Sequence, residues 1–561
     1  MSTRKRHPER RAAYTALLAP LVALLAASCE DPREDCYWTT TCIEGGAASG
    51  GSGGMGGTGD TQGGNVSASG GESAFGGAGG AGGVGGNEGG AGGTPAVCDT
   101  TQSPALEACV ASDEHALFVA PTGSDKSDGT RAQPFKTITQ ATALAAASGK
   151  IVIVCNGKFD EHLSITTGAR VYGGFSCPGE KVPWSYQLGK RAQVVPSSEG
   201  PALEARNVAS AVTIEDVEFY SRDATAPGTS SVAAIVESSP AVVLRRVRIV
   251  AGDGATGIDG TTGTKGADGD TATRDQEGLN ALCGNQAPAI KLGGAWVADT
   301  ACGSRGGSGG PSQKGAPGFP GTFGIPQTNV TPPNVTNGGL NGSDGVDGTS
   351  GSPGNAGSSG KAVADTSAFT AVGFTPSAAA GSGTDGFPGQ GGGGGGASNA
   401  SGDCIGASGG AGGMGGCGGK GGVGGGGGGA SVALMSWNSG VTLDACELVA
   451  GSGGAGGKGG DGGLGGLGKD GAAGGAADTT NSIGKGGHGG LGGNGGAGGP
   501  GAGGNGGPSY ALVVHGPKPV IGKTTELTPG SPGIAGLGGS AAGVTAEAGK
   551  PGTASAQFSV L

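Results

Sequence analysis

Twelve cysteines are the residues of this chain whose chemistry the sequence indicates most directly. In an oxidising compartment such cysteines are typically paired as disulfides, whereas a zinc site needs closely spaced CxxC pairs or histidine partners. The chain has neither arrangement at ligand spacing. We therefore expect disulfide bonds, with no metal site and no other cofactor.

Cys29 has a different predicted fate because of the residues before it. A basic region ending at Arg11 is followed by the apolar run 12–27, an order typical of a secretory signal rather than a membrane span. The segment LLAASC, which ends at Cys29, resembles a lipobox, although Ala26 stands where leucine is preferred. The resemblance implies a signal peptide over 1–28 and a lipid on Cys29. The alternative is a soluble secreted protein with Cys29 in a disulfide.

Lipidation of Cys29 would leave eleven cysteines, which is an odd number. Proximity in sequence suggests five disulfides: Cys36–Cys42, Cys98–Cys109, Cys155–Cys177, Cys283–Cys302 and Cys404–Cys417. Cys446 is left over. Because related repeats have valine at its position, we expect Cys446 to be a buried free thiol that acts as a small apolar side chain.

Glycine determines the class of most of the chain. Of 561 residues 136 are glycine, against a usual share of about 7%, so little of the length can form an ordinary apolar core. Removal of 1–28, which carries a net charge of +4, changes the formal charge from −11 to −15. An acidic body without clusters of Lys and Arg argues against nucleic acid as a partner.

Three nine-residue segments follow one template: VTIEDVEFY at 212–220, VVLRRVRIV at 242–250 and VTLDACELV at 441–449. Apolar residues recur with a period of two that is broken once by an extra residue. A period of two places alternate side chains on one face of a strand, and the extra residue marks a corner between two strands. A fourth copy, VIGKTTELT at 520–528, is expected to keep only Val520 and Leu527 in the core, as in a terminal repeat.

The segment ALFVAPTGSDKSDGTRAQPFKTITQATALAAASGKIVIVCNGKFDEHLSI, residues 116–165, resembles the opening of pectin-lyase-like right-handed parallel β-helix proteins. The resemblance implies an all-β solenoid of this type. It also implies a strand over 117–120, a turn over 123–129 and a capping helix over 138–147 that ends at Gly149.

Pectate lyases of this fold use carboxylates that hold calcium and a basic residue that abstracts a proton. The corresponding candidates are Glu215, Asp216, Arg245, Arg246 and Arg248. The simpler interpretation is a solvated ladder of opposite charges on stacked coils, which contributes little stability.

Other candidate residues are weaker. Asp125 and Asp128 lack the regular spacing of a calcium loop and are typical of an Asp/Gly turn. The five histidines are scattered, with no readable nucleophile beside them. Trp437, at a repeat corner, is the best placed of four isolated tryptophans for stacking on a sugar.

Glycine recurs every third residue between the repeats, for example from Gly254 to Gly269 and from Gly342 to Gly360. This is the period of polyproline-II-type helices, but the prolines are too few for collagen. Two alternatives follow: disordered loops, or arms bundled as polyglycine-II-like helices. The arms also resemble PE-PGRS-like glycine-rich sequences. Because they follow the same part of each template, we expect them to line up along one edge.

The predicted organisation is a signal peptide over 1–28, a glycine-rich tether over 29–97, and β-helix coils over 98–250 and 431–450. Glycine-rich insertions occupy 251–430 and 451–508, and a terminal coil and tail occupy 509–561. We expect a cell-surface structural or adhesive protein without catalytic activity, held in the cell envelope by the lipid on Cys29. Its expected partners are the membrane and other surface components, including extracellular polysaccharide. The alternative is a polysaccharide-binding or lyase-like protein of the pectin-lyase fold.

Overall fold

The computed structural model describes residues 98–561 except 178, 180–183 and 297–300. Strands dominate this part of the chain, and most of them lie in three parallel sheets, which we name A, B and C. The predicted signal peptide, the tether, and Cys29, Cys36 and Cys42 lie outside the described residues.

Each of the three sheets draws its strands from successive passes of the chain. Sheet A contains, from one edge to the other, Ala116–Val119, Ile151–Cys155, Ala169–Ser176, Val212–Glu215, Val242–Arg245, Val441–Asp444 and Val520–Ile521, with Ser185–Tyr186 antiparallel to the third strand. Sheet B contains Lys158–Phe159, Ala192–Val194, Val217–Tyr220, Arg248–Val250, Glu447–Val449 and Glu526–Thr528. Sheet C contains Leu163–Ile165, Leu203–Arg206, Ser231–Glu237, Ser431–Trp437, Ser509–His515 and Ala554–Val560.

The remaining elements are short. Four antiparallel pairs join Leu282–Cys283 to Cys404–Ile405, Ile290–Lys291 to Ser312–Gln313, Ala368–Thr370 to Gly373–Thr375, and Ser540–Ala541 to Val544–Thr545. The helices are the α-helix Ile138–Ser148 and the 3-10 turns Ala108–Val110 and Arg274–Gln276.

From Ile151 onward the chain passes repeatedly from sheet A to B to C and back to A. Val242 pairs with both Val212 and Val441, so the three predicted repeats lie side by side in register. One residue between the A and B strands of each repeat has a left-handed backbone: Asp216 at φ 55°, Arg246 at φ 53° and Ala445 at φ 53°. This is the extra residue that interrupts the period of two, and the predicted corner is confirmed.

Side chains from all three sheets fill one apolar core. Alternate residues face this core, as in Val212, Ile214, Val217 and Phe219, which are all fully buried. The structure is therefore an all-β fold with parallel sheets, as predicted.

The predicted helix is present and covers the first strands of this core. Thr137 caps its start by accepting a hydrogen bond from the N–H of Gln140 at 3.3 Å. Gly149 ends it in the left-handed region at φ 68°, which glycine adopts without strain.

The glycine-rich segments are ordered, so the disordered alternative is wrong for this part of the chain. The N–H groups of Gly254, Gly257 and Gly260 donate to the carbonyls of Ser452, Ala455 and Lys458 at 2.7–2.9 Å. The series continues with the same spacing to Gly269. One hydrogen bond to a neighbour at every third residue is the pattern of the polyglycine-II-like alternative.

We name the hydrogen-bonded array of these glycine-rich segments the glycine lattice. Each of its inner segments bonds to several neighbours, as segment 409–430 illustrates. Gly413 donates to Gly490 at 2.9 Å, Lys420 to Thr264 at 2.9 Å, and Gly412 to Gly307 at 2.8 Å. These partners lie in three different segments. The lattice therefore extends in more than one direction, unlike a β-sheet.

The glycine-rich arms are residues 251–430, 451–508 and 529–553. Each arm begins after a strand of sheet B and ends before a strand of sheet C. Their outgoing segments lie side by side, because Gly254 donates to Ser452 and Gly453 donates to Ser531, each at 2.9 Å. The prediction that the arms line up along one edge is confirmed.

The close approach of the segments explains why glycine is required. A Cβ on Gly422, Gly457 or Gly495 would lie under 3.0 Å from backbone atoms of the neighbouring segment. Those atoms cannot move away without breaking the hydrogen bonds of the lattice. Glycine is therefore required at these positions of closest approach.

Aspartates complete the hydrogen bonding at the edge of the lattice. Carboxylates of outward-facing residues accept from N–H groups of non-glycine residues on the adjacent segment, at 2.6–3.0 Å: Asp253 from Ser452, Asp259 from Lys458, Asp268 from Leu467, Asp344 from Lys485, Asp347 from His488 and Asp461 from Ser540. Hydrogen bonds from Lys265 and from the N–H of Leu467 lower the pKa of Asp268. These aspartates, which contribute to the acidic composition of the chain, thus stabilise the edge of the lattice.

Two of the predicted disulfides are present and two are wrong. Cys98–Cys109 and Cys155–Cys177 are as predicted, but Cys283–Cys302 and Cys404–Cys417 are not formed. The bonds are Cys283–Cys404 and Cys302–Cys417. Strand Leu282–Cys283 pairs with Cys404–Ile405 in the insertion, so sequence neighbours there are not spatial neighbours.

The last repeat departs from its predicted register in sheet A. Ile521 lies opposite Leu443, and Val520, expected in the core, is 65% exposed. Sheet B keeps the expected register, because Leu527 lies opposite Leu448 and packs against the core. The N–H of Gly522 bonds to the carbonyl of Leu443 at 2.7 Å, which fixes the one-residue shift.

Cys446 is a buried free thiol, as predicted. Its Sγ donates to the carbonyl of Leu244 at 3.2 Å, and burial raises the pKa of the thiol. Within the folded protein Cys446 should therefore be unreactive, because the thiolate is the nucleophile.

We expect iodoacetamide at pH 8 to leave Cys446 unmodified in the native protein and to alkylate it fully in denaturant. Peptide mass spectrometry of the tryptic fragment that contains Cys446 measures both states. Alkylation of the native protein as fast as that of free cysteine would contradict the burial of this thiol.

We expect Gly457→Ala to lower the free energy of unfolding by about 1–3 kcal/mol, since the added methyl overpacks the lattice. Lys458→Ala, one residue away on the same segment, is the matched control and should change it by less than about 0.5 kcal/mol, because Lys458 points outward. Urea unfolding measures both variants. Equal stability of the two would show that the close approach is not a constraint.

Candidate functional site

The candidate lyase residues do come together, at the corner between sheets A and B. Asp216 and Arg246 occupy the left-handed position of adjacent repeats, so their side chains meet. The guanidinium of Arg246 donates to Asp216 Oδ1 at 2.9 Å, to Asp216 Oδ2 at 2.8 Å and to Glu215 Oε2 at 2.8 Å. Arg245 donates to Glu215 Oε1 at 2.6 Å and to Asp444 at 3.0 Å.

We name Glu215, Asp216, Arg245, Arg246 and Asp444 the charge cluster. Two of its carboxylates are buried, which corrects the interpretation as a solvated ladder, although Arg245 and Arg246 stay partly exposed and Asp444 is half exposed. Glu215 is 1% exposed and Asp216 is 2% exposed. The hydroxyl of Ser103 donates to Glu215 Oε2 at 2.8 Å, and the hydroxyl of Tyr186 donates to Asp216 Oδ2 at 2.9 Å. The cause is a second apolar layer on the outer face of sheet A, which shorter segments around Val110 and Tyr186 cover.

Electrostatics bind the charge cluster together. The hydrogen bond from Arg246 to Asp216 is the main cause that raises the pKa of Arg246. Burial, followed by the hydrogen bond to Asp216, raises the pKa of Tyr186. All four carboxylate oxygens of Glu215 and Asp216 accept hydrogen bonds from protein groups. They are therefore engaged in holding the fold and do not offer free ligands to calcium or to a polymer.

Arg248 lies apart from this cluster. It bonds to Glu447 at 2.9 Å and to the hydroxyl of Tyr220 at 2.9 Å, and both ion-pair partners are about one-third exposed. It forms an ordinary surface ion pair of sheet B.

The other predicted candidates have structural roles. Asp125 accepts from the N–H groups of Lys136 and Thr137 at 3.0 and 2.9 Å, just before the helix, and Asp128 accepts from Thr130. These are turn contacts, as favoured by the sequence. Trp437 stacks on His515 with ring centroids 4.1 Å apart, so one face of the indole is already occupied.

One group of three potential metal ligands occurs among the described residues: Cys98, Glu107 and Cys109. Both of its cysteines are joined in a disulfide. Because thiolates and not disulfide sulfurs bind metal, this group does not fit a metal ion.

A cleft lined by aromatic rings lies over the outer face of sheet C. The hairpin Ala368–Thr370 and Gly373–Thr375 packs there against the apolar layer, and the cleft opens between the hairpin and the last strand, Ala554–Val560. We name it the aromatic cleft, lined by Phe369, Phe374, Tyr510, Phe558 and Asp365, with a volume of about 560 Å³. Such a volume is typical of a small-molecule site.

Sequence reasoning missed the aromatic cleft because its parts are distant along the chain. Phe369 and Phe374 belong to the long insertion, whereas Tyr510 and Phe558 belong to two later strands of sheet C. The available signal was the segment AFTAVGF, 368–374, which places two phenylalanines within an otherwise glycine-rich region.

Comparisons with known proteins identify a partial likeness. The family model described as "Protein of unknown function (DUF1565)" matches residues 121–286. No curated protein matches the chain. Among solved structures, the GH136 lacto-N-biosidase from Eubacterium ramulus is similar at 16% identity and a TM-score of 0.19, over 24% of this chain and 27% of that chain. The chain thus spans about a quarter of that enzyme's length.

We expect Arg246→Met to destabilise the protein by about 3–5 kcal/mol, because it leaves two buried carboxylates without their shared partner. Arg248→Met is the matched control and should cost about 1 kcal/mol or less, because its ion pair is partly solvated. Urea unfolding of both variants is the measurement. A small effect of Arg246→Met would mean that the charge cluster does not hold the corner.

Proposed function

We propose that this chain is an exported cell-surface protein, lipid-anchored at Cys29, with a structural or adhesive role and no catalytic activity. In this proposal its body is a right-handed parallel β-helix of the pectin-lyase-like type. The arms between its coils form a stiff lateral extension.

The observation that carries the proposal is the glycine lattice. Its hydrogen bonds are distributed over many backbone groups, and its outgoing segments continue from sheet B repeat by repeat. Deformation of one arm therefore requires several neighbouring segments to shift together. Stiffness of this kind suits a protein that keeps its shape at a surface.

The charge cluster argues against a lyase. A lyase needs carboxylates that reach calcium and substrate, whereas Glu215 and Asp216 are buried and already paired. Polysaccharide binding or cleavage remains the alternative that the β-helix resemblance suggests. Among the described residues, no helix is long and apolar enough to cross a bilayer, and the lipid on Cys29 is the attachment that we propose.

Metabolic labelling with an alkyne analogue of palmitate tests the anchor. Wild-type protein and the control Cys446→Ala should be labelled, whereas Cys29→Ala should be unlabelled. Label retained by Cys29→Ala would refute lipidation at this residue.

Incubation of the purified protein with a panel of uronate polysaccharides and calcium tests the absence of catalysis. We expect no increase in the ultraviolet absorbance that unsaturated products give. Such an increase, if abolished in Arg245→Ala, would refute the structural proposal in favour of the lyase.

A further inference from the structure

We propose that the aromatic cleft binds a small organic cation, namely an ammonium group that carries alkyl substituents. The ligand class follows from three features of the cleft: the inclination of its rings, the carboxylate of Asp365 at its rim and the lack of lysine and arginine in its lining. The proposal goes beyond a structural or adhesive role and does not depend on the lipid anchor.

The rings of the cleft do not all lie in one plane. Phe369 is inclined by 46–51° to Phe374, Tyr510 and Phe558, with centroids 4.9–5.8 Å apart. Tyr510 and Phe558 stack in parallel at 4.7 Å. A sugar ring needs a flat platform, whereas inclined rings suit a compact, rounded group. The faces of aromatic rings carry partial negative charge and attract cations.

Asp365 supplies a full negative charge at the rim. Its Oδ1 accepts from the N–H of Ser367 at 2.9 Å and from the hydroxyl of Ser377 at 2.5 Å. Burial alone would raise the pKa of Asp365, but these hydrogen bonds and the charge of Lys550 outweigh it and lower the pKa. The carboxylate is therefore ionised at neutral pH and can accept a further contact.

The rest of the lining does not compete for this charge. No lysine or arginine is among the described residues that line the cleft, and its other polar side chains are hydroxyls, such as Ser367, Thr553 and Ser559. Phe558 is 36% exposed, so its ring is accessible from solvent. A wholly apolar ligand would gain nothing from the charge of Asp365, and an anion would be repelled by it. A cation with apolar substituents satisfies both the rings and the carboxylate.

Calorimetric titration with two isosteric probes tests the proposal on the purified full-length protein. Choline is the cationic probe, and 3,3-dimethylbutan-1-ol has the same shape without the charge. We expect choline to bind at least about tenfold more tightly than the alcohol, since cation–π attraction and ion pairing act only on the charged probe. Equal affinities, or no binding of choline at millimolar concentration, would overturn the proposal.

Variants locate the site. Asp365→Asn and Phe558→Leu should each weaken choline binding by about tenfold, whereas Asp470→Asn, an exposed aspartate of an arm, should leave it unchanged. Unchanged binding in both cleft variants would overturn the assignment. If both variants unfold, the comparison of choline with its neutral isostere on wild-type protein still decides. Displacement of choline by a neutral oligosaccharide would overturn it in favour of a sugar site.

Discussion

The close approach of glycine backbones is the constraint on which most of this molecule depends. Each glycine in the interior of the lattice loses more conformational freedom on ordering than any other residue would. The lattice offers almost no apolar side chains to offset that cost. What offsets it is the pairing of backbone N–H and C=O groups with neighbouring segments, each bond contributing about 1 kcal/mol net. A displaced segment would leave several of these groups unpaired, which accounts for the strict period of three.

Such a lattice needs a template, and the parallel sheets provide one. The register that pairs Val242 with Val441 in sheet A continues into the arms, where Gly254 donates to Ser452. The sheets have an ordinary apolar core and can set this register before the arms add to it. Two disulfides close loops of 121 and 115 residues, Cys283–Cys404 and Cys302–Cys417. In the chain-entropy model a loop of that length contributes about 4–5 kcal/mol through the unfolded state.

The sequence was informative wherever a local pattern determined the structure. The repeats around Val212, Val242 and Val441 and the helix that ends at Gly149 followed from periodicity and capping. The pairing of Cys283 with Cys404 did not, because it depends on which segments of the lattice become neighbours. The burial of Glu215 could not be predicted either, because the residue that contacts it, Ser103, lies more than one hundred residues earlier in the chain. The aromatic cleft likewise joins residues that only the stacking of sheet C brings together.

The lattice also determines much of the charge of the body. At the outer edge of the lattice some backbone N–H groups donate to a side chain and not to the carbonyl of a neighbouring segment. The carboxylate of aspartate is a short, charged acceptor, and a hydrogen bond to a charged group is stronger than one to a neutral group. Asp253, Asp259 and Asp268 recur on one segment for this reason. The resulting negative field does not identify a partner, but it raises the local concentration of cations around the protein. A cleft that selects among cations would operate within that field, and its selectivity would come from the inclined rings, because the carboxylates attract every cation alike.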